Sequence, residues 1–206
     1  MAERQEVVFL SGEGDAWFDR NSDAGNTVDP VTDAIVSCGI IPTEVLEVGC
    51  GTGWRLNVLK NMYPCLVYGI DPSAKAVAFA RQEYDLNIKH GTSGEICGYR
   101  RDQFDMVIFG FCLYLVDRDF LFRIIHDTDD VLRDGGHIVI HDFLPDAPHK
   151  KAYHHKNGVF SYKMDYAKLW LGNPAYQRVY NSIIPEDGYG VSIIKKDNAA
   201  AWPERA

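Results

Sequence analysis

The sequence has no apolar run long enough to cross a bilayer, which takes about 20 consecutive apolar residues in a helix. Its first residues, Met1-Ala2-Glu3-Arg4-Gln5-Glu6, place acids where a secretory leader needs a basic start and an apolar stretch. Both absences argue against a membrane partner and lead us to expect a cytoplasmic protein. There is no Cys-x-x-Cys pair either. The five cysteines, Cys38, Cys50, Cys65, Cys97 and Cys112, are odd in number and scattered among apolar and glycine-rich neighbours, so reduced, mostly buried thiols are expected. Basic charge is in deficit: 21 Lys and Arg against 29 Asp and Glu give a formal net charge of −8, which argues against a nucleic-acid partner held by clustered cations. Lys150-Lys151 with Lys156, and Arg100-Arg101, are the local exceptions, and both read as solvated surface. No repeat and no low-complexity tract occurs, and Pro and Gly fall between periodic segments.

What is present fits one α/β domain, since 206 residues can bury a full core alone. From Val45 onward, short β-branched runs alternate with helical patterns, as in a parallel sheet with crossover helices. Strands are expected at Val45–Val48, Leu66–Ile70, Asn87–His90, Phe104–Phe111 and His137–Phe143. Helices are expected at Gly53–Met62, with Leu56, Leu59 and Met62 as its apolar stripe, after Ser73 as N-cap, and at Arg118–Leu132, closed by Asp134-Gly135-Gly136. Beyond them, a helix over Tyr162–Leu171 precedes two extended runs, Tyr176–Ile184 and Gly190–Lys196, joined through Pro185-Glu186-Asp187-Gly188 as an antiparallel hairpin. The expected fold is a Rossmann-like three-layer sandwich with a seven-stranded, mostly parallel sheet. Residues 1–44 are expected to cap the cofactor end and to include a helix over Pro30–Cys38. Residues 45–143 would be the cofactor-binding core, 144–196 the acceptor side, and 197–206 a tail.

A glycine-rich turn after a buried strand lets the backbone approach a ligand closely, because no Cβ blocks it and positive φ is available. Glu47-Val48-Gly49-Cys50-Gly51-Thr52-Gly53 has that placement, although plain turns and several nucleotide binders share it. Asp71, at the end of the second expected strand, stands about twenty residues downstream, where a carboxylate can accept both hydroxyls of a ribose. The same residue would also serve as a helix start before Ser73.

With those residues in view, the stretch from Val45 to Phe143 resembles the class I S-adenosylmethionine (SAM)-dependent methyltransferases. The strongest likeness is Val45 to Gly53. A dinucleotide fingerprint would want its last glycine one position later, where Trp54 stands. Asp71-Pro72-Ser73 resembles the segment after the family's second strand, and Phe104–Ile108 with Gly110-Phe111-Cys112-Leu113-Tyr114-Leu115 resembles its fourth strand and following loop. The resemblance implies SAM as cofactor and S-adenosylhomocysteine (SAH) as product. It implies that Glu47, Gly49, Cys50, Gly51, Gly53, Gly110 and Phe111 surround the methionine end, with Asp71, Pro72 and Ser73 at the ribose. Where many members carry an acid for the adenine, this chain has Gly91-Thr92-Ser93, so Thr92 and Ser93 take that place.

Methyl transfer requires alignment of acceptor and methyl carbon, exclusion of water and, for a protonated nucleophile, a base. His141 and Asp142 are the candidates beyond the last parallel strand, although neighbours on a strand point to opposite faces. Trp17, Tyr114, Tyr153 and His154 are candidate acceptor contacts, and Tyr162, Tyr166 and Trp170 at helical spacing read as core. No ligand spacing calls for a metal. Gly12 to Asn21 is similar to the opening of small bacterial methylases associated with pseudaminic acid and other surface-sugar biosynthesis, which makes a sugar or nucleotide sugar the leading small-molecule acceptor. A homodimer is admitted. The competing functions are a SAM- or nucleotide-binding regulator without chemistry and an NAD-dependent oxidoreductase.

Overall fold

The computed structural model describes residues 4–21, 29–184 and 188–203. Strands β1 (Glu44–Val48), β2 (Leu66–Asp71), β3 (Asn87–His90), β4 (Phe104–Gly110) and β5 (Leu132–Phe143) run parallel, a ribbon of β6 (His149–Ala152) and β7 (Phe160–Lys163) stands apart, and β8 (Tyr176–Ile184) and β9 (Tyr189–Lys196) complete the main sheet. The order across that sheet is β3-β2-β1-β4-β5-β9-β8, with β9 antiparallel to both its neighbours. Four consecutive residues of β1, Val45 to Val48, are buried, as a central parallel strand covered on both faces requires.

Alternation along β1 sends its side chains into two cores. Val45 joins Leu56 and Leu59 of α4 (Trp54–Met62), Val77 and Ala80 of α5 (Ala74–Tyr84), and Val31 and Ile35 of α3 (Pro30–Ser37). Leu46 and Val48 join the opposite core, with Ile124 of α6 (Leu121–Val131), Trp170 of α7 (Lys168–Leu171), Tyr166 and Phe109. Ser73 caps α5 by accepting from the Ala76 N–H at 3.0 Å. Ahead of this sandwich lie α1 (Gln5–Val8), a π-helical turn over Phe9–Glu13, and α2 (Gly14–Asn21). Among the described residues, no helix is long and apolar enough to cross a membrane.

Four expectations are corrected. Met62 is 47% exposed, so the apolar stripe of α4 ends at Leu59. The helix expected over Arg118–Leu132 starts as a 3-10 turn at Arg118–Phe120 and stops at Val131, and Leu132 already belongs to β5. Asp134-Gly135-Gly136 is therefore a bulge within β5, where the register against β4 shifts between Phe104 and Met106 and Gly135 takes φ +78°. The helix expected over Tyr162–Leu171 is replaced by β7 and a single turn, α7. Tyr166 and Trp170 are core residues, but Tyr162 is a strand residue whose ring lies 4.5 Å under the Arg118 guanidinium. The helix over Pro30–Cys38 ends at Ser37 and packs against β5 and β9, because Val31, Ala34 and Ile35 are all buried on one face. Of the expected hairpin turn, Pro185, Glu186 and Asp187 lie outside the described residues.

Candidate functional site

The carboxyl ends of β1, β2, β3 and β4 open onto one cavity of about 870 Å³, counted out to its mouth. The chain leaving β1 turns over the end of β2, with the Gly49 and Cys50 N–H groups donating to the Ile70 carbonyl at 2.9 and 3.3 Å. Gly51 sits at φ +54° and a Cβ there would meet nothing within 4 Å, so its backbone faces open space. Gly53 sits at φ +72° for a different reason: a Cβ would come within 2.7 Å of Leu86, and its absence lets α4 start against the core.

Gly49, Gly51, Asp71 and Pro72 form one wall of the cavity, Thr92 and Ser93 its far end, and Gly110, Phe111 and Cys112 the side beyond β4. Asp71 is buried between them. Its Oδ2 accepts from the Gly51 N–H at 2.7 Å and its Oδ1 from the Ser73 N–H at 2.9 Å. Burial pushes its carboxyl up to about 6, while those two N–H groups pull it down.

Glu6, Phe9, Gly14 and Trp17 roof the cavity. Two carboxylates fasten this roof. Asp117, just past the turn after β4, accepts from the Gln5 and Glu6 N–H groups at 3.0 and 3.1 Å and so caps α1. Asp15 accepts from Ser73 Oγ at 2.7 Å and the Lys75 N–H at 3.0 Å, which ties α2 to the start of α5. Gly14 lets the two meet, since a Cβ would stand 2.9 Å from the Pro72 carbonyl. Burial raises the Tyr114 phenol above its ordinary range, with Trp17 beside it acting the other way.

Not every expected site residue faces the cavity. Cys50, Gly53, Ser73, Tyr114, His141 and Asp142 do not line it. Glu47 is turned away as well: its Oε1 is bonded to Arg55 Nη1, and Arg55 also holds Asp29 through Nε and Nη2, both at 2.9 Å. A Cβ on Gly110 would stand 2.5 Å from Glu47 Oε1, so this glycine makes room for the ion pair. Burial pushes the Glu47 carboxyl up to about 7, opposed by Arg55.

His141 and Asp142 do not act together. His141 faces the Arg55 side of the sheet, where its ring packs 5.3 Å from Phe111 and 5.5 Å from Tyr189. Asp142 faces the other core and accepts from the Tyr114 N–H at 3.2 Å and the Phe143 N–H at 2.7 Å. Strand alternation separates them, so Asp142 cannot orient the imidazole. Burial lowers His141 to about 4, helped by the Arg55 charge, and leaves it neutral at pH 7. Burial raises Asp142 to about 7. Tyr153 is behind the roof, accepting from Arg20 at 3.2 Å and donating to Glu13 at 3.2 Å, and His154 is exposed on the loop between β6 and β7. Among the wall residues that sequence reasoning missed, Glu6, Phe9, Val116, Asp117 and Phe120 come from two distant segments that only the roof brings together. The one signal for them was Asp117, an acid just before a helix start, which caps a helix from elsewhere in the chain.

Residues 45–136 match a family model described as a methyltransferase domain. Among curated proteins none matches by sequence. Solved structures with the same fold include the 1,6-didemethyltoxoflavin-N1-methyltransferase of Burkholderia thailandensis with 1,6-didemethyltoxoflavin and SAH bound, 16% identical, TM-score 0.74, covering 96% of this chain and 92% of that one. A putative methyltransferase of Haloferax volcanii in complex with the Trm112 methyltransferase activator is 15% identical, TM-score 0.71, covering 92% and 98%. A DhpI–SAM–HEP complex is 17% identical, TM-score 0.63, covering 95% and 100%.

Proposed function

Because residues 45–136 match a methyltransferase domain model, we propose that this chain is a class I, SAM-dependent methyltransferase that transfers a methyl group from SAM to a small polar acceptor. One observation carries the reading: a single roofed cavity runs from the glycine turn past a buried, doubly hydrogen-bonded carboxylate to a hydroxyl-bearing end. SAM supplies a methyl group on a sulfonium centre. Gly51, without a side chain toward open space, fits close approach of such a ligand, and Asp71 has lone pairs left for ribose hydroxyls after its two backbone bonds. Thr92 and Ser93 stand where the adenine would end. The roof of Phe9 and Trp17 excludes water, and Phe111 and Trp17 line the side on which an acceptor would enter. The acceptor's lone pair forms the new bond as the C–S bond breaks, and the acceptor's proton, where it has one, must leave.

His141 is our proton acceptor: it is neutral, both ring nitrogens lack a hydrogen-bond partner among the described residues, and it stands outside the cavity lining, its ring 5.3 Å from that of the lining residue Phe111. A sugar or nucleotide sugar remains the leading acceptor from the likeness of Gly12–Asn21, and the small-molecule ligand of the Burkholderia enzyme supports a small acceptor over a macromolecule. Calorimetry with SAM, SAH and NAD tests the reading. SAM and SAH should bind and NAD should not, and Asp71→Ala should weaken SAH by about 1–3 kcal/mol, the worth of a charge-assisted hydrogen bond. Failure of both sulfur nucleosides to bind refutes it.

A further inference from the structure

Between His149 and Lys163 the chain carries four lysines, three histidines and no acid, on a protein whose net charge is −8. The β6–β7 ribbon pairs His149 with Lys163 and Lys151 with Ser161, so alternation puts His149, Lys151 and Lys163 on one face. His149 and Lys151 are exposed on that face, and Lys163 is its half-buried inner member. Lys163 Nζ lies 3.4 Å from the centroid of the Phe143 ring, and Phe143 lies 5.0 Å from Phe111, which lines the cofactor cavity. Phe143, Phe111, Tyr189 and His141 are all half-buried and mutually packed, a floor of rings continuous with the cavity wall. Phe111 sits at φ +59°, in the left-handed region that a bulky residue rarely adopts, and backbone strain of this kind clusters where a side chain must be aimed.

Asp142 is the acid whose charge reaches the cation on this floor, but it forms no ion pair with it. Among the described residues no carboxylate pairs with Lys163 or Lys151, and the nearby Asp142 spends its oxygens on backbone N–H groups. Burial and the Lys151 charge push the Lys163 ammonium below its ordinary range, and the buried Asp142 opposes them.

We propose that the methyl acceptor is an anionic ring compound, its ring lying on the Phe111–Phe143 floor and its phosphate or carboxylate bound by Lys163 with Lys151 behind it. This rests on the methyltransferase reading and sharpens its acceptor class. The test uses the full chain saturated with SAH, titrated with phenyl phosphate, benzoate and phenol and followed by ligand-detected NMR. At least one anion should bind about tenfold or more tighter than phenol. The tighter of the two identifies the group recognised. Lys163→Met should abolish that preference and leave phenol unchanged, and Lys163→Arg should keep it. Equal binding of anions and phenol, or a preference that survives Lys163→Met, overturns the proposal. SAH affinity measured alongside separates the two readings: if SAH does not bind, the methyltransferase reading falls, and titration of the free protein still judges the anion site.

Discussion

Burial decides the chemistry at single residues more than neighbouring letters do. His141 and Asp142 are adjacent in the chain, yet their side chains occupy opposite cores and only the imidazole lacks hydrogen-bond partners. A histidine held near 4 is a weak base, which suits an acceptor whose proton is already acidic. We expect His141→Ala to lower kcat about 100-fold, toward the low end for loss of a general base, with SAH affinity unchanged. In the unsubstituted enzyme kcat should be flat from pH 8 to 5 and fall as pH drops through about 4, where the imidazole takes up a proton. His141→Ala should lose that acid limb. Rate and profile both unchanged in the variant would remove His141 from the reaction.

At the scale of elements, the roof is held by caps rather than by area. α1 is only four residues long, too short to be stable alone. Its first two N–H groups rest on Asp117, and the Gln5 amide donates to the Leu115 carbonyl at 2.6 Å. Asp117→Ala should cost the helix about 1 kcal/mol and raise the SAH off-rate severalfold, read by stopped-flow fluorescence of Trp17. An unchanged off-rate would mean that the roof does not gate the cavity. Such contacts explain what the sequence could and could not disclose. β1, β2, β4 and the His137–Phe143 part of β5 were legible as short, largely apolar runs, β3 by its place in the alternation of elements, and Ser73 because its bond to Ala76 is local. β7 was not, because Tyr162, Tyr166 and Trp170 fall at helical spacing while only the last two enter the core; a ribbon pairing at Tyr162 is long-range information. In the site, Gly49, Gly51 and Asp71 follow from turn chemistry, whereas the turning of Glu47 toward Arg55 depends on Asp29 from another element.

For the molecule as a whole, the site imposes a pH dependence on stability with a definite sign. Asp71, Glu47 and Asp142 are each raised by burial, to about 6, 7 and 7, from ordinary values of 3.8, 4.5 and 3.8. Between the two values of each group, the folded chain keeps a proton that the unfolded chain has released. Stability therefore falls as pH rises through that window, and the loss is complete above the folded value. His141 works in the opposite sense: lowered from 6.5 to about 4, it gives stability that grows as pH rises between them. His137 is lowered by burial in the same sense; the three acids outweigh the two histidines, so the ligand-free protein should be less stable at pH 8 than at pH 5, contrary to a fold dominated by exposed ion pairs. Asp142→Asn isolates one contribution, since asparagine has nearly the same shape, can still accept a backbone N–H and does not titrate. Any fixed cost of the amide is the same at both pH values. The stability of Asp142→Asn relative to the unsubstituted protein, from urea unfolding, should thus improve from pH 4.5 to pH 8 by about 3 kcal/mol, at about 1.4 kcal/mol for each pH unit crossed below the folded value of about 7. A relative stability that does not change with pH would mean that Asp142 is ionised in the fold at an ordinary pKa, its two N–H donors compensating its burial in full.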